Sequence, residues 1–130
     1  MCVQSALGDN GMDIPEDALL LRIFVNETQN WHHKPLYEVI VRRALEMDLG
    51  GATVLRGLMG YGKSSRLHTN LYLDTLVSLP VVIEIVDSDE KIKAFLPVVD
   101  EMISSGLVTL EKAKVLHYRG GTPACMTKTP

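Results

Sequence analysis

The apolar residues of this chain follow two spacings, one typical of strands and one typical of helices. Short, mainly apolar runs of the kind found in buried strands alternate with two stretches in which apolar residues recur every three to four positions. We predict helices from Pro35 to Met47 and from Ser88 to Ile103. The predicted strands are residues 18–25, 52–56, 81–86 and 113–118.

The boundaries of the first predicted helix rest on proline and glycine. Pro35 suits the first turn, where its missing N–H leaves no hydrogen bond unmade. Gly50 and Gly51 are predicted to end this helix, because glycine adopts the left-handed cap conformation without steric cost.

The second predicted helix has two candidate N-caps and an internal proline. Asp87 has capping-box spacing to Glu90, and Ser88 is the alternative cap. Pro97 lies inside the helix, where proline costs roughly 3 kcal/mol, so a kink or a break is expected there. Gly106 is predicted to close the helix.

The predicted order of elements is strand, helix, strand, strand, helix, strand. This order indicates an α+β protein with a ferredoxin-like βαββαβ sandwich, in which two helices cover one face of an antiparallel four-stranded sheet. The third strand is apolar on both faces, which is typical of a strand buried on both sides, so we expect a second copy of the chain to cover the other face. Residues 18–119 form the predicted domain, between a flexible N-terminal extension, 1–17, and a flexible C-terminal tail, 120–130.

Composition restricts the class of protein. A chain of 130 residues corresponds to one domain, and its formal charge of −3 does not favour nucleic acid as a partner. Cys2 and Cys125 form neither a metal cluster nor a disulfide framework. Since no apolar run is long enough to cross a bilayer and no signal peptide is recognisable, we expect a cytoplasmic protein without direct membrane insertion.

A long polar loop separates the second and third predicted strands, and it opens with a phosphate-binding motif. Residues 57–64 read Gly-Leu-Met-Gly-Tyr-Gly-Lys-Ser, which matches the P-loop pattern, and Asp87 ends an apolar strand as the acid of such a site does. However, residues 64–72 form only a weak helix pattern, whereas a P-loop requires a helix there. The loop is therefore open to three interpretations: a P-loop NTPase, a glycine loop that binds phosphate in another fold, or a plain glycine hairpin.

The other polar residues give no catalytic pattern. His32, His33, His68 and His117 match no metal-ligand spacing, and the sequence contains no recognisable nucleophile–base pair and no paired acids at catalytic spacing. We therefore expect no enzyme activity, no catalytic residues, no metal site and no required cofactor.

Four segments carry a resemblance to a known family. Residues 51–54, 60–63, 68–72 and 79–86 are similar to the words G-x-T-V, G-F-G-R, H-T-E-L-Y and L-P…K-I-E-I-V, which occur in the same order in PII proteins. The chain thus resembles the PII signal-transduction superfamily, and more closely its uncharacterised PII-like branch, over roughly residues 18–119.

The resemblance implies a homotrimer that binds an adenine nucleotide in the clefts between subunits. It also implies that the long 60–79 loop docks onto a target protein, such as a membrane transporter or channel. The implied nucleotide-binding residues are Gly60, Gly62, Lys63, Gly106, Leu107, Val108 and Thr109. The implied docking residues are Ser65, Arg66, His68 and Tyr72. An oligomeric scaffold without a ligand is the remaining alternative.

Overall fold

The computed structural model describes residues 13–63, 68–69 and 78–120, and the structural statements below concern those residues. Most of the two predicted extensions therefore lies outside the described chain. Two pairs of two-residue strands, Asn30–Trp31 with Lys34–Pro35 and Met59–Gly60 with His68–Thr69, accompany the main elements. The main elements are β1 (Asp17–Asn26), α1 (Leu36–Glu46), β2 (Thr53–Arg56), β3 (Pro80–Asp87), α2 (Asp89–Met102) and β4 (Leu107–Lys114).

The main strands form one antiparallel four-stranded sheet in the order β2-β3-β1-β4. Both central strands, β1 and β3, are long and mainly apolar, whereas β2 and β4 are the edges. This arrangement confirms the predicted α+β fold of ferredoxin-like type.

One face of the sheet carries the core. Alternate residues of β1 and β3 point toward the two helices, as expected when successive side chains of a strand point to opposite faces. Helix side chains at three- to four-residue spacing complete this layer. The core includes Leu21, Ile23, Val81, Ile83, Ile85, Leu36, Ile40, Ile92, Phe95 and Val99, none more than 4% exposed.

The other face of the sheet is not covered by the helices, and apolar side chains cross it in a row. Leu55, Val82, Phe24 and Leu107 are paired in register across β2, β3, β1 and β4. At the two edges, Leu55 is 50% exposed and Leu107 is 57% exposed. We call this side the open face.

Helix α1 ends before the two glycines, so the predicted role of Gly50 and Gly51 as its cap is wrong. Asp48 adopts the left-handed conformation with φ 59°. Its N–H donates to the carbonyl of Leu45, and the N–H of Leu49 donates to the carbonyl of Ala44. This is a Schellman motif in which aspartate, which tolerates the left-handed region, replaces the usual glycine. Gly50 and Gly51 are thereby left for the turn that follows.

Helix α2 confirms the alternative N-cap, Ser88, but ends earlier than predicted. Ser88 is the N-cap, because its Oγ accepts a hydrogen bond from the backbone N–H of Lys91. The helix ends at Met102, before Gly106, and it continues through Pro97 without a break. Burial of Phe95 and Val99 explains this continuity, because each such side chain contributes about 1.5–3 kcal/mol, enough together to offset the proline.

The last strand begins six positions earlier than predicted, at Leu107 rather than Ala113. Its register pairs Leu107 with Phe24 and Lys114 with Asp17, so β1 supplies partners along the whole strand. Because β4 is an edge strand exposed on both faces, its apolar pattern is weak. Leu107, Val108 and Thr109, which were expected in a nucleotide-binding loop, are therefore strand residues.

Candidate functional site

A cavity of about 540 Å³ lies on the open face beside the turn between α1 and β2. This volume falls within the range of small-molecule sites, roughly 300–1,000 Å³. Apolar side chains form part of its wall, and hydroxyl, carboxylate and guanidinium groups form the rest. It is lined by Ile14, Leu20, Arg22, Gly50, Gly51, Ala52, Thr53, Glu84, Val86 and Tyr118.

The turn at the rim of this cavity is held on both sides of Gly50. The buried carboxylate of Asp87 accepts a hydrogen bond from the N–H of Gly50 at 2.7 Å and another from the N–H of Ser88 at 2.7 Å. The hydroxyl of Tyr118 donates to the carbonyl of Gly50. A Cβ at position 50 would lie 2.7 Å from Cδ1 of Ile14, so a side chain there would require the end of the Ile14 side chain to move. The turn is therefore fixed by residues distant from it in sequence.

Three charged side chains lie beside each other on the open face. Nε of Arg22 donates to Oε2 of Glu84 at 2.8 Å, and Nη1 donates to Oε1 of Glu111 at 2.7 Å. The hydrogen bond to Glu84 is the main cause that raises the pKa of Arg22, with a further contribution from Glu111 and against the effect of burial. Arg22 thus stays charged, and the group carries one positive and two negative charges. Its net negative charge disfavours phosphate at this end of the cavity.

The base of the long loop packs against the start of β3. The N–H of Gly57 donates to the carbonyl of Pro80 at 2.7 Å, and a Cβ at Gly57 would lie 2.8 Å from Cγ of Pro80. A Cβ at Gly60 would lie 3.2 Å from the same atom. Packing against Pro80 therefore accounts for glycine at position 60 without any ligand. By contrast, none of the described residues lies within 4 Å of a Cβ at Gly62, and the neighbouring Lys63 is exposed.

The second predicted nucleotide segment lies at the same end of the sheet but on the opposite edge. Gly106 has φ +149°, and a Cβ there would lie 2.5 Å from the carbonyl oxygen of Phe24, so only glycine fits. Gly106 precedes β4, whereas Gly60 and Lys63 follow β2. Three strand spacings, about 14 Å, separate these edges. One chain therefore does not bring the two predicted segments together.

The P-loop interpretation required Lys63 and Asp87 to meet at one site. Lys63 follows the C-terminal end of β2, and Asp87 is the C-terminal residue of β3. Because β2 and β3 are antiparallel, these ends point in opposite directions, and the length of β3 alone is about 23 Å. Asp87 is also engaged with Gly50 and Ser88. The fold therefore does not assemble a P-loop site from these residues.

The predicted docking residues are described only in part. His68 pairs through its backbone with Gly60, while Ser65, Arg66 and Tyr72 lie outside the described residues. In the described part of the loop, Leu58 and Tyr61 are each 73% exposed. These two side chains offer apolar surface next to the loop base.

The described ranges contain neither a cluster of metal ligands nor a membrane-spanning helix. Residues 13–63, 68–69 and 78–120 contain no group of three or more His, Cys, Asp or Glu side chains that could hold a metal ion. Within the same ranges, no helix is long and apolar enough to cross a membrane.

The sequence interpretation missed the residues that build the cavity. Thr53 and Glu84 lie within the family words, and Gly50 and Gly51 were predicted to end the first helix, but no pattern placed these residues in one site. Tyr118 was placed in a strand, although it lies beyond the end of β4. The one available signal was the glycine pair immediately before a strand, because such a pair marks a close approach of other atoms to the backbone.

Comparison with known proteins gives matches over this folded region. The family described as DUF190, Uncharacterized ACR, matches residues 18–115. A UPF0166 protein of Aquifex aeolicus is 43% identical over 98 residues, which cover 75% of this chain and 92% of that protein.

Solved structures of similar fold come from a PII-like protein. CPII, a nitrogen regulatory PII-like protein from Thiomonas intermedia K12, bound to ADP, AMP and bicarbonate, is similar with a TM-score of 0.54 and 18% identity, over 76% of this chain and 88% of that chain. Its structure bound to ADP and bicarbonate gives a TM-score of 0.52 and 16% identity at the same coverage. At this level of identity, the likeness shows a shared fold.

Proposed function

This chain belongs to the DUF190 family, a PII-like branch, and we propose that it is a cytoplasmic regulatory protein that binds an adenine nucleotide and docks onto a target protein. The observation that carries the proposal is the cavity of about 540 Å³ on the open face. It lies in a chain whose fold is shared with a PII-like protein that binds ADP and AMP.

The lining of the cavity suits the base and ribose of a nucleotide better than its phosphates. Leu20 and Val86 lie opposite each other on β1 and β3 and give an apolar wall for a flat base. Thr53 and Glu84 offer polar groups for base or ribose hydrogen bonds. Because Arg22 is already paired with two carboxylates, phosphates would find no unneutralised positive charge from it.

We propose that the phosphates are bound by a second copy of the chain. Among the described residues, none approaches a Cβ at Gly62, and Lys63 is an exposed cation, which together suit an anion. Backbone groups near Gly106 are the second proposed contact, through Leu107, Val108 and Thr109. Since the two segments lie on opposite edges of one sheet, a site containing both needs an assembly.

The proposed assembly is a homotrimer joined through the open faces. The row formed by Leu55, Val82, Phe24 and Leu107 supplies the apolar contact, and its edge members are half exposed in the single chain. Burial of such side chains stabilises association by about 25 cal/mol per Å² of apolar surface, before the costs of association.

The proposed docking element is the long loop. Leu58 and Tyr61 are large, mainly apolar and strongly exposed, and tyrosine is enriched in protein interfaces. Together with Ser65, Arg66, His68 and Tyr72, they are the residues we expect a target, such as a membrane transporter or channel, to contact.

Calorimetry with ATP, ADP and AMP on the full chain tests nucleotide binding. No residue in the described ranges lies within 4 Å of a Cβ at Gly62 or Gly51, so Gly62→Val and Gly51→Val should both fold normally. We expect each to weaken binding at least tenfold by occupying ligand space, while Gly120→Val, which no described residue obstructs either, should bind like the wild type. If the folded wild-type chain gives no heat with all three nucleotides, and hydrogen exchange at 57–63 is unchanged by them, the proposal is wrong and a scaffold without ligand becomes the better interpretation.

A further inference from the structure

The short segment Glu27–Gln29, which follows β1, contacts three other parts of the chain through its side chains. The carboxylate of Glu27 accepts hydrogen bonds from Nε and Nη2 of Arg56 at 2.7 and 2.9 Å. The hydroxyl of Thr28 donates to Oγ of Ser78 at 2.8 Å. The amide of Gln29 donates from Nε2 to the carbonyl of Ser105 at 2.9 Å.

Two of these partners lie at the two ends of the long loop, and the third lies next to Gly106. Arg56 is the last residue of β2, and Ser78 lies just before β3, so Glu27 and Thr28 hold the two ends of the long loop. The backbone adds a third contact there, because the N–H of Glu27 donates to the carbonyl of Leu79 at 2.9 Å. Ser105 immediately precedes Gly106 on the opposite edge of the sheet. One segment thus joins both edges.

The segment itself is held between β1 and α1. Oε1 of Gln29 accepts from the N–H of Asn26 at 2.7 Å, and the carbonyl of Gln29 accepts from the N–H of Leu36 at 2.8 Å. The turn that follows contains His32 and His33 with φ of 50° and 67°. Consecutive left-handed residues without glycine cost about 1–2 kcal/mol each, and they persist only where surrounding contacts hold them.

We infer that Glu27–Gln29 is a positioning segment that couples the base of the long loop, residues 57–63, to the Gly106 turn, residues 104–108. The two regions lie about 14 Å apart on opposite edges of the sheet. A continuous set of hydrogen bonds through one fixed segment can carry energetic coupling over such a distance. The inference concerns the chain without ligand and does not depend on which ligand or target it binds.

Coupling of this kind must act in both directions. Gln29→Glu keeps the acceptor for the N–H of Asn26 but removes the donor to the carbonyl of Ser105, and Glu27→Gln keeps the shape but removes the charge facing Arg56. We expect hydrogen exchange in the ligand-free protein to rise at least threefold at 57–63 in the first variant and at 104–108 in the second. Each effect appears at the edge that the substitution does not touch.

Three comparisons make this experiment decisive. Glu38→Gln breaks an exposed ion pair with Arg42 on α1 and should change neither region. Thr28→Val removes only the exposed contact to Ser78, so it tests the loop end with little risk to folding. It should raise exchange at 78–80 and, more weakly, at 104–108.

The double variant of Glu27 and Gln29 tests the coupling directly. Its increase in exchange rate should differ from the product of the increases in the two single variants, as expected for coupled sites. If each variant alters exchange only beside its own partner, or the double variant is the product of the two singles, Glu27–Gln29 makes local contacts and couples nothing.

Discussion

The buried carboxylate of Asp87 gives the sharpest stability prediction. Asp87 is 1% exposed and accepts two short backbone hydrogen bonds, from Gly50 and from Ser88. A hydrogen bond to a charged group contributes about 1.5–3 kcal/mol, and a buried donor left without a partner costs about 1–3 kcal/mol. Asp87→Ala removes the acceptor of both donors, so we expect the free energy of unfolding to fall by about 3–5 kcal/mol.

A second substitution at the same position separates charge from shape. In Asp87→Asn, one donor can still reach the amide oxygen, while the other faces an NH2 group that cannot accept. The expected loss is therefore smaller, about 1–3 kcal/mol. Asp100→Ala, on the exposed side of α2, is the matched control and should stay within about 0.5 kcal/mol of wild type.

Urea unfolding followed by circular dichroism measures these differences. With an m-value of about 2 kcal/mol/M, Asp87→Ala should lower the midpoint by about 1.5–2.5 M and Asp87→Asn by about 0.5–1.5 M. Hydrogen exchange at the N–H of Gly50 should rise in both variants. An Asp87→Ala protein as stable as the Asp100→Ala control would refute the reasoning, because the carboxylate would then not be what holds the turn.

Further predictions concern assembly, chemistry and backbone geometry. Val82→Asp places a charge in the apolar row of the open face, so light scattering should show a monomer where the wild type gives a trimer. A monomeric wild type at micromolar concentration would contradict the proposed assembly. ATP turnover should stay well below about 1 per second and should not depend on Lys63, and a faster rate that disappears in Lys63→Ala would restore the P-loop interpretation. Gly106→Ala should lower the free energy of unfolding by about 3 kcal/mol through its clash with the carbonyl of Phe24, while Gly120→Ala should not; equal stability of the two would show that the turn can relax.

Elements with strong local patterns were predicted well. β1, β3 and α1 lie within two residues of their predicted positions, because their apolar residues recur at the period of the element and face one core. Their order was sufficient for the ferredoxin-like fold. β4 was misplaced because an edge strand exposed on both faces gains its stability from pairing with β1, which no local pattern records.

The candidate site shows the same difference between local patterns, which the sequence records, and contacts between distant residues, which it does not. Residues 57–64 drew attention through a motif, yet the antiparallel pairing of β2 and β3 separates Lys63 from Asp87. Conversely, no motif indicated the turn at Gly50, whose partners Asp87 and Tyr118 lie 37 and 68 residues away along the chain.

The sequence by itself determined which segments become strands and helices, since periodicity and capping act over a few neighbouring residues. Only the tertiary structure decided which polar groups meet, because the hydrogen bonds at Gly50 and at Glu27–Gln29 join segments that the sheet register brings side by side.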